Sequence, residues 1–310
     1  MKDIGIGLLG FGTVGAGVVQ GLQANAELLA ERIGARPVLR AVADLDVESD
    51  RGVAVDPSLL TTDARGAIAN DAVDVVVELI GGTGIARELV LDALGRGKPV
   101  VTANKHLLAE HGAELFGLAA RRGADIYFGA SVGGGIPIIR ALREGLVGNR
   151  TRAMYGILNG TCNYILTRME SEGLPFRDIL ADAQAQGFAE ADPSLDVDGY
   201  DTAHKAVILA SLAYGFHVPM DAVPVEGIRG VSAADIRYAA DMGYRIKLLA
   251  VIRTDGAEAD APGRVEVRVH PTLMPVGHML ASVHGVFNAV MVRSDLAGDT
   301  LYYGRGAGRE

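Results

Sequence analysis

The stretch IGIGLLGFGTVGAGVV near the start of the chain limits the possible fold more than any other feature. It places Gly10, Gly12 and Gly15 in a G-x-G-x-x-G that closes an apolar run (4–9) and opens a helical pattern. The first glycine permits the tight turn, the second lets a pyrophosphate approach the backbone, and the third lets helix pack on strand. Phosphates then sit at the helix N-terminus, where unpaired N–H groups point outward. Alone the pattern is weak, but further apolar runs follow at 37–43, 73–80, 98–103 and 124–129, separated by helical patterns. Near-continuous apolar strands are buried on both faces, the mark of a parallel sheet built from βαβ units. Residues 1–130 are therefore expected to form a Rossmann-type, doubly wound nucleotide-binding domain of α/β class. Gly10, Phe11, Gly12, Thr13, Val14 and Gly15 would make its phosphate loop.

The second strand should end beside the adenosine ribose, and RAVADLD puts Asp44 there. A carboxylate accepts from ribose hydroxyls but repels a 2′-phosphate, so Asp44 favours NAD over NADP. Arg51 is the nearby basic residue that could reach a phosphate. VVTANKHLL brings Thr102 and Lys105 to the carboxyl end of a buried strand, where open α/β sheets bind ligands.

Beyond SVGGGIPII the rhythm changes. A helix is expected from Ile136, with Pro137 in its first turn. TRAMYGIL then reads as a strand, followed by helices near 162–172, 176–186 and 200–214 and strands at 245–253, 265–270 and 286–292. Grouping of this kind suggests a second, α+β domain over 131–299. Residues 300–310, ending on a glycine-rich turn, read as a segment returning to the nucleotide-binding domain.

Length and charge fit this division. A chain of 310 residues is comfortable for two domains. Its net charge of −9, without a basic patch, argues against nucleic acid as partner. No run of about 18 apolar residues offers a membrane span, and Asp3 interrupts the opening apolar stretch too early for a signal peptide. The single cysteine, Cys162, forms no internal disulfide, and a reducing cytoplasm is the expected compartment. The histidines, including His270, His278 and His284, show no metal-ligand spacing and read as polar loop residues.

FAEADPSLDVDGYDTAHK, residues 188–205, carries Glu190, Asp192, Asp196, Asp198, Asp201 and Lys205. Asp201 and Lys205 are spaced i,i+4 on one helix face, an ordinary surface ion pair if exposed. From Ala206 to Ala213, however, every residue except Ser211 is apolar, so Lys205 stands where solvent ends. Desolvation and the helix N-terminus disfavour its charge, while Asp201 favours it. A lysine so placed is a candidate to donate a proton to a carbonyl oxygen as hydride reaches the carbon.

GFGTVG, ELIGG, VVTANK, ASVGGGIPII, GILNGTCNYIL, GFAEADPSLDVDGYDTAHK and YYGRGAG occur here in the order and at the spacing found in homoserine dehydrogenases. The chain resembles a monofunctional, short form of that family over essentially its whole length. The resemblance implies reversible reduction of L-aspartate 4-semialdehyde to L-homoserine by NAD or NADP, on the route to threonine, methionine and isoleucine. It implies Lys205 as proton donor, Glu190 on the substrate's amino group, and Asp196 and Asp201 lining that pocket. Asn159, Gly160 and Thr161 shape the substrate site, Lys105 lies beside the nicotinamide, and Gly306 belongs to the cofactor set. A homodimer through the second domain is also implied. NADP-using members often carry a basic residue where Asp44 stands, which agrees with the lean to NAD. Many members use a glutamate near this chain's Gly129 to help hold a structural sodium ion; the carbonyls of Val132, Gly134 and Ile136 remain as ligands. Relatives continue past the G-x-G-A-G loop with a further helix, so a shortened C-terminus is expected here.

Two other readings compete. A phosphorylating semialdehyde dehydrogenase would need Cys162 as nucleophile, and a nicotinamide-binding sensor would need no catalytic lysine.

Overall fold

The computed structural model describes residues 1–255 and 264–306. Two compact units emerge, one over Met1–Ser131 and one beginning at Val132.

The first unit carries β1 (Lys2–Leu9), β2 (Ala35–Ala43), β3 (Leu60–Thr61), β4 (Val75–Glu78), β5 (Val100–Thr102) and β6 (Ile126–Tyr127). Between them run α1 (Thr13–Ala24), α2 (Ala26–Ile33), α3 (Ala64–Ala69), α4 (Ile85–Gly95) and α5 (Lys105–Arg122). All the strand pairings are parallel, in the order β3-β2-β1-β4-β5-β6. This is the doubly wound order, which reverses direction between β1 and β4 and opens a ligand crevice at their carboxyl ends. Leu8 and Leu9 of β1, Val42 of β2 and Val76 of β4 have no exposed surface. Burial on both faces of these strands is what their continuous apolar runs require. The short β3, which the apolar pattern does not announce, extends the edge beside β2.

The second unit contains α6 (Ile138–Arg140), β7 (Thr151–Ile157), α7 (Gly160–Glu172), α8 (Phe176–Ala185), α9 (Ser194–Val197), α10 (Tyr200–Tyr214), α11 (Ala233–Asp241), β8 (Tyr244–Asp255), β9 (Arg264–Pro275), β10 (Phe287–Ser294) and β11 (Asp299–Arg305). The sheet order is β11-β10-β7-β8-β9, antiparallel throughout. α10 and α7 pack on the sheet, and a core of Ile157, Leu249, Val251, Ala289 and Met291 holds its middle strands.

Two local expectations are corrected. The helix expected from Ile136 starts at Ile138, because the Ile136 N–H closes a turn on the Gly133 carbonyl and Pro137 becomes the cap. It continues through Ala141–Gly145 as a π-helical stretch. Residues 300–305, read as part of a return segment, belong instead to the edge strand β11, paired antiparallel with β10 from Asp299 to Arg305. The remainder, 307–310, lies outside the described residues.

Lys247 on β8 is the largest fully buried side chain of this unit, 1% exposed. Its ammonium donates to Asn163 Oδ1 (3.0 Å) and to the Val283 carbonyl (2.6 Å). Burial pushes it down from 10.5 to about 8, against the pull of Glu170 and helped by Arg245. Below pH 8 both folded and unfolded chains carry the proton and the full cost of the buried charge, about 3 kcal/mol, is present. Between pH 8 and 10.5 the unfolded chain binds more protons, so stability from this group rises with pH. Lys247→Met removes that cost but strands two buried acceptors at about 1–3 kcal/mol each. At pH 7 the variant should unfold within about 3 kcal/mol of the parent, and the balance should shift toward the parent near pH 10. Denaturant melts at the two pH values check this; a balance that shifts toward the variant contradicts it.

Candidate active site

In the first unit the glycine turn does what its spacing requires. Gly10 adopts φ +95°, and a Cβ there would lie 2.7 Å from the Leu79 backbone. A Cβ on Gly15 would come within 2.2 Å of the Gly10 carbonyl oxygen, so only glycine lets α1 start this close to β1. Gly12, the N-cap of α1, faces open space: a Cβ there would meet nothing within 4 Å, and no side chain caps the helix. An open helix N-terminus of 12 residues, free of acidic residues in its first turn, fits a pyrophosphate. Thr13 and Val14 are exposed at that end, whereas the Phe11 ring is buried in the core with Leu8 and Val19.

Asp44 stands at the end of β2. It accepts from the Phe11 N–H (2.5 Å) and the Asp46 N–H (2.9 Å), one on each carboxylate oxygen. It is thereby fixed beside the glycine loop with further acceptor capacity on both oxygens. A cavity of about 610 Å³ is lined by Gly10, Gly12, Asp44, Arg65, Ile80 and Leu89 among others. Arg51, the basic residue expected near a phosphate, pairs with Asp46 at 2.9 Å. Arg65 is the guanidinium on the cavity wall, held by Glu88 at 2.7 Å. Residues of this kind fit a nicotinamide dinucleotide.

At the carboxyl ends of β4 and β5 lies a network that sequence reading missed. Glu78 is fully buried, and its carboxylate accepts from the Ile80 and Gly81 N–H groups (2.9 and 3.0 Å) and from the Thr102 hydroxyl (2.6 Å). Thr102 in turn accepts from the Asn104 N–H (2.9 Å), and Asn104 donates to the Gly82 carbonyl (2.8 Å) while capping α5 at Leu107. Lys105, the first residue of α5, is placed by that cap. The Thr102 hydroxyl is thus already engaged within the unit, on Glu78 and Asn104. The only sequence signal was ELIGG, a glutamate closing an otherwise apolar strand.

In the second unit the acidic stretch divides. Lys205 Nζ donates to Asp201 Oδ2 (2.6 Å) and to the Leu158 carbonyl (2.7 Å), with the Lys205 and Asp201 side chains 11% and 5% exposed. Asn159 caps α7 by accepting from the Cys162 N–H (2.7 Å) and turns its amide protons on Asp196 (2.7 Å) and Asp201 (2.8 Å). One amide therefore holds two carboxylates together, and the set Lys205, Asp201 and Asp196 carries a net formal charge of −1. Burial begins at Asp201, a full turn earlier than the apolar run suggested, because the whole first half of α10 is enclosed. Gly160 lies against the Val286 carbonyl, 2.8 Å from where a Cβ would be, and Thr161 donates to the Phe188 carbonyl (3.1 Å).

Glu190 sits on the exposed loop before α9, its carbonyl accepting from Gln184 (3.0 Å), and its carboxylate is not part of the Asn159 network. Asp192 makes a turn with Ser194, and Asp198 pairs with Arg229. Gly306, beyond β11, packs on the buried Asn288 side chain, whose Oδ1 would lie 1.7 Å from a Cβ there. Cys162 is fully buried, its thiol donating to the Asp196 carbonyl (3.2 Å). Burial, with Asp196 and Asp201 adding, pushes that thiol well above its ordinary range. A buried, protonated thiol is inert, which leaves the acyl-enzyme reading without a nucleophile. His270 and His278 spend ring nitrogens on local backbone groups. Among the described residues no helix is long and apolar enough to cross a membrane.

Comparison with known proteins agrees with this arrangement. A family model described as homoserine dehydrogenase matches residues 137–310, and one described as its NAD binding domain matches 10–129. A homoserine dehydrogenase of Neisseria gonorrhoeae is 49% identical over 308 residues, 99% of this chain and 69% of the relative. The crystal structure of a homoserine dehydrogenase from Thiobacillus denitrificans superposes with TM-score 0.94 at 46% identity, covering 99% of this chain and 70% of that one. A hyperthermophilic archaeal homoserine dehydrogenase in complex with NADPH matches at TM-score 0.81 and 27% identity, covering 99% of this chain and 93% of that one. Neither competing reading finds support among these matches.

Proposed function

The chain belongs to the homoserine dehydrogenase family, oxidoreductases acting on a CH–OH group, and from that premise we propose which of its residues carry the interconversion of L-homoserine and L-aspartate 4-semialdehyde. The observation that carries the proposal is the buried set of Lys205, Asp201, Asn159 and Asp196. A bound nicotinamide dinucleotide supplies or accepts the hydride.

Two of the three ammonium donors of Lys205 go to Asp201 and Leu158, and the third is assigned to the substrate oxygen. In the reducing direction Lys205 gives its proton to that oxygen; in the oxidising direction it takes the hydroxyl proton. Asp201 holds the ammonium in place, and Asn159 holds Asp201 and Asp196. The surplus negative charge of this set, with Glu190 at the loop, would attract the substrate's α-ammonium. Gly160 and Thr161 shape the wall, and Lys105 is assigned to the nicotinamide end.

For the cofactor, Gly10, Phe11, Gly12, Thr13, Val14 and Gly15 would hold the pyrophosphate, Phe11 through its backbone, and Asp44 the adenosine ribose. Thr102 is assigned a supporting role through its hydrogen bonds, and Gly306 keeps its assignment through the resemblance. NAD is favoured, since a 2′-phosphate would meet the Asp44 carboxylate. Asp44→Asn keeps an acceptor for the Phe11 N–H and removes the charge. It should shift the NAD to NADP ratio of kcat/KM toward NADP by about tenfold; an unchanged ratio argues that Arg65 or another group sets the preference.

The proposed sodium ligands fit poorly. Val132, Gly134 and Ile136 offer neutral carbonyls, that of Ile136 already accepts from the Ile138 N–H, and Gly129 brings no carboxylate. A homodimer and a cytoplasmic home belong to the same reading, resting on the family likeness and the single buried cysteine. The direct test is L-homoserine oxidation with NAD and NADP in parallel, followed by the absorbance of reduced nicotinamide. Turnover is expected with NAD preferred, and no turnover with either cofactor would sink the proposal.

A further inference from the structure

The role given to Asn159, Gly160 and Thr161 raises the question of what holds that loop. Gly160 has no side chain with which to anchor itself, and the Val286 carbonyl oxygen stands only 2.8 Å from where its Cβ would be. The position of the loop therefore depends on the 283–287 segment beneath it.

That segment turns its carbonyls inward onto one amide. Asn163 Nδ2, on a residue 2% exposed, donates to the carbonyls of Val283 (3.2 Å), Gly285 (2.9 Å) and Phe287 (3.2 Å). Two amide protons shared by three carbonyl oxygens leave an excess of negative dipole at a buried point. The Lys247 ammonium meets that excess, donating to the Val283 carbonyl and to Asn163 Oδ1, the acceptor end of the same amide. Thr167 closes the arrangement by donating to the Asn163 carbonyl (2.6 Å) and accepting from the Gly285 N–H (3.1 Å). Asn163 lies one helical turn beyond Asn159, whose carbonyl accepts its N–H (3.2 Å).

We propose that Lys247 is a positioning residue for the substrate: acting through Asn163, it clamps the 283–287 segment under Gly160 and so sets the place of the Asn159–Thr161 loop. The inference rests on the assignment of that loop to the substrate site. An apolar side chain of similar length would fill the same space without the desolvation cost, so what the cation adds is its hold on the Val283 carbonyl and on Asn163 Oδ1. Methionine would do so while leaving the inward carbonyls without their cation.

The test is steady-state kinetics of Lys247→Met, Asn163→Asp and Asn159→Ala with L-homoserine and NAD, alongside thermal melts. Asn163→Asp keeps a partner for the ammonium but loses the donors to the three carbonyls, so it carries the test if Lys247→Met does not fold. Homoserine KM should rise about fivefold or more in both, with NAD KM within about twofold, because small misplacements near a reacting centre are costly. A fall in kcat or in melting temperature with homoserine KM unchanged would mark a merely structural residue and overturn the proposal. If Asn159→Ala raises homoserine KM while the other two leave it unmoved, the clamp alone is wrong. If Asn159→Ala leaves homoserine KM unmoved, the substrate-site assignment falls, and the clamp with it.

Discussion

Lys205→Ala is expected to lower kcat for homoserine oxidation by about 10²–10⁴-fold, the range supplied by a positioned acid–base group. NAD binding should be retained, because the glycine loop and Asp44, assigned to the pyrophosphate and the adenosine ribose, lie in the first unit and Lys205 lies in the second. The loss should appear in kcat, since the proton moves only as hydride does, and homoserine KM should change less. The variant has a second effect that must be separated from the first. Lys205 and Asp201 form a buried pair with 11% and 5% side-chain exposure. Removing one member of such a pair strands the other charge at about 3–5 kcal/mol. Asp201 keeps the Asn159 donor, which softens that cost. Activity is therefore to be expressed per folded molecule, from melts run on the same sample, and compared with Lys205→Met, which preserves the packing. If both variants keep kcat within about tenfold of the parent, another group moves the proton and the role of Lys205 is only to hold Asp201.

The second large effect concerns the glycine turn, where two neighbouring substitutions should fail in different ways. Gly15→Ala puts a methyl within 2.2 Å of the Gly10 carbonyl oxygen, a backbone atom that has no rotamer with which to move aside. α1 must shift from β1, and the chain should lose about 1–3 kcal/mol of stability together with its NAD affinity. Gly12→Ala meets nothing within 4 Å in the protein, so the fold should be untouched. Its methyl would instead occupy the approach to the helix N-terminus, and NAD affinity should fall by about 100-fold with an unchanged melting temperature. Calorimetric titration with NAD and thermal melts of both variants give the four numbers needed. A Gly12→Ala protein that binds NAD like the parent would remove the phosphate cradle from this loop.

What could be read along the chain were the features set by neighbours in sequence. The G-x-G-x-x-G turn, the buried strands of the parallel sheet and the i,i+4 pair of Asp201 and Lys205 depend on periods of two to four residues, and each is in place. β11 escaped because an edge strand is only half-buried and its propensity is expressed against a partner. Arg51 was nearer to Asp44 in sequence, yet Arg65 reaches the cavity, because β3 pairs parallel with the end of β2 and brings the start of α3 beside Asp44.

The doubly wound first unit, the glycine turn and the presence of a lysine at the boundary of burial could be read from the chain alone, since these follow from local sterics and hydrophobic period. How the charges around that lysine are shared depends on segments far apart in the chain. Asn159 reaches Asp196 and Asp201 across 37 and 42 residues, Glu78 reaches Thr102 across 24, and Lys247 reaches Asn163 across 84. A buried polar group is stable only when its partners arrive with the right geometry. Which partners arrive is a property of packing between elements, and no local pattern carries it.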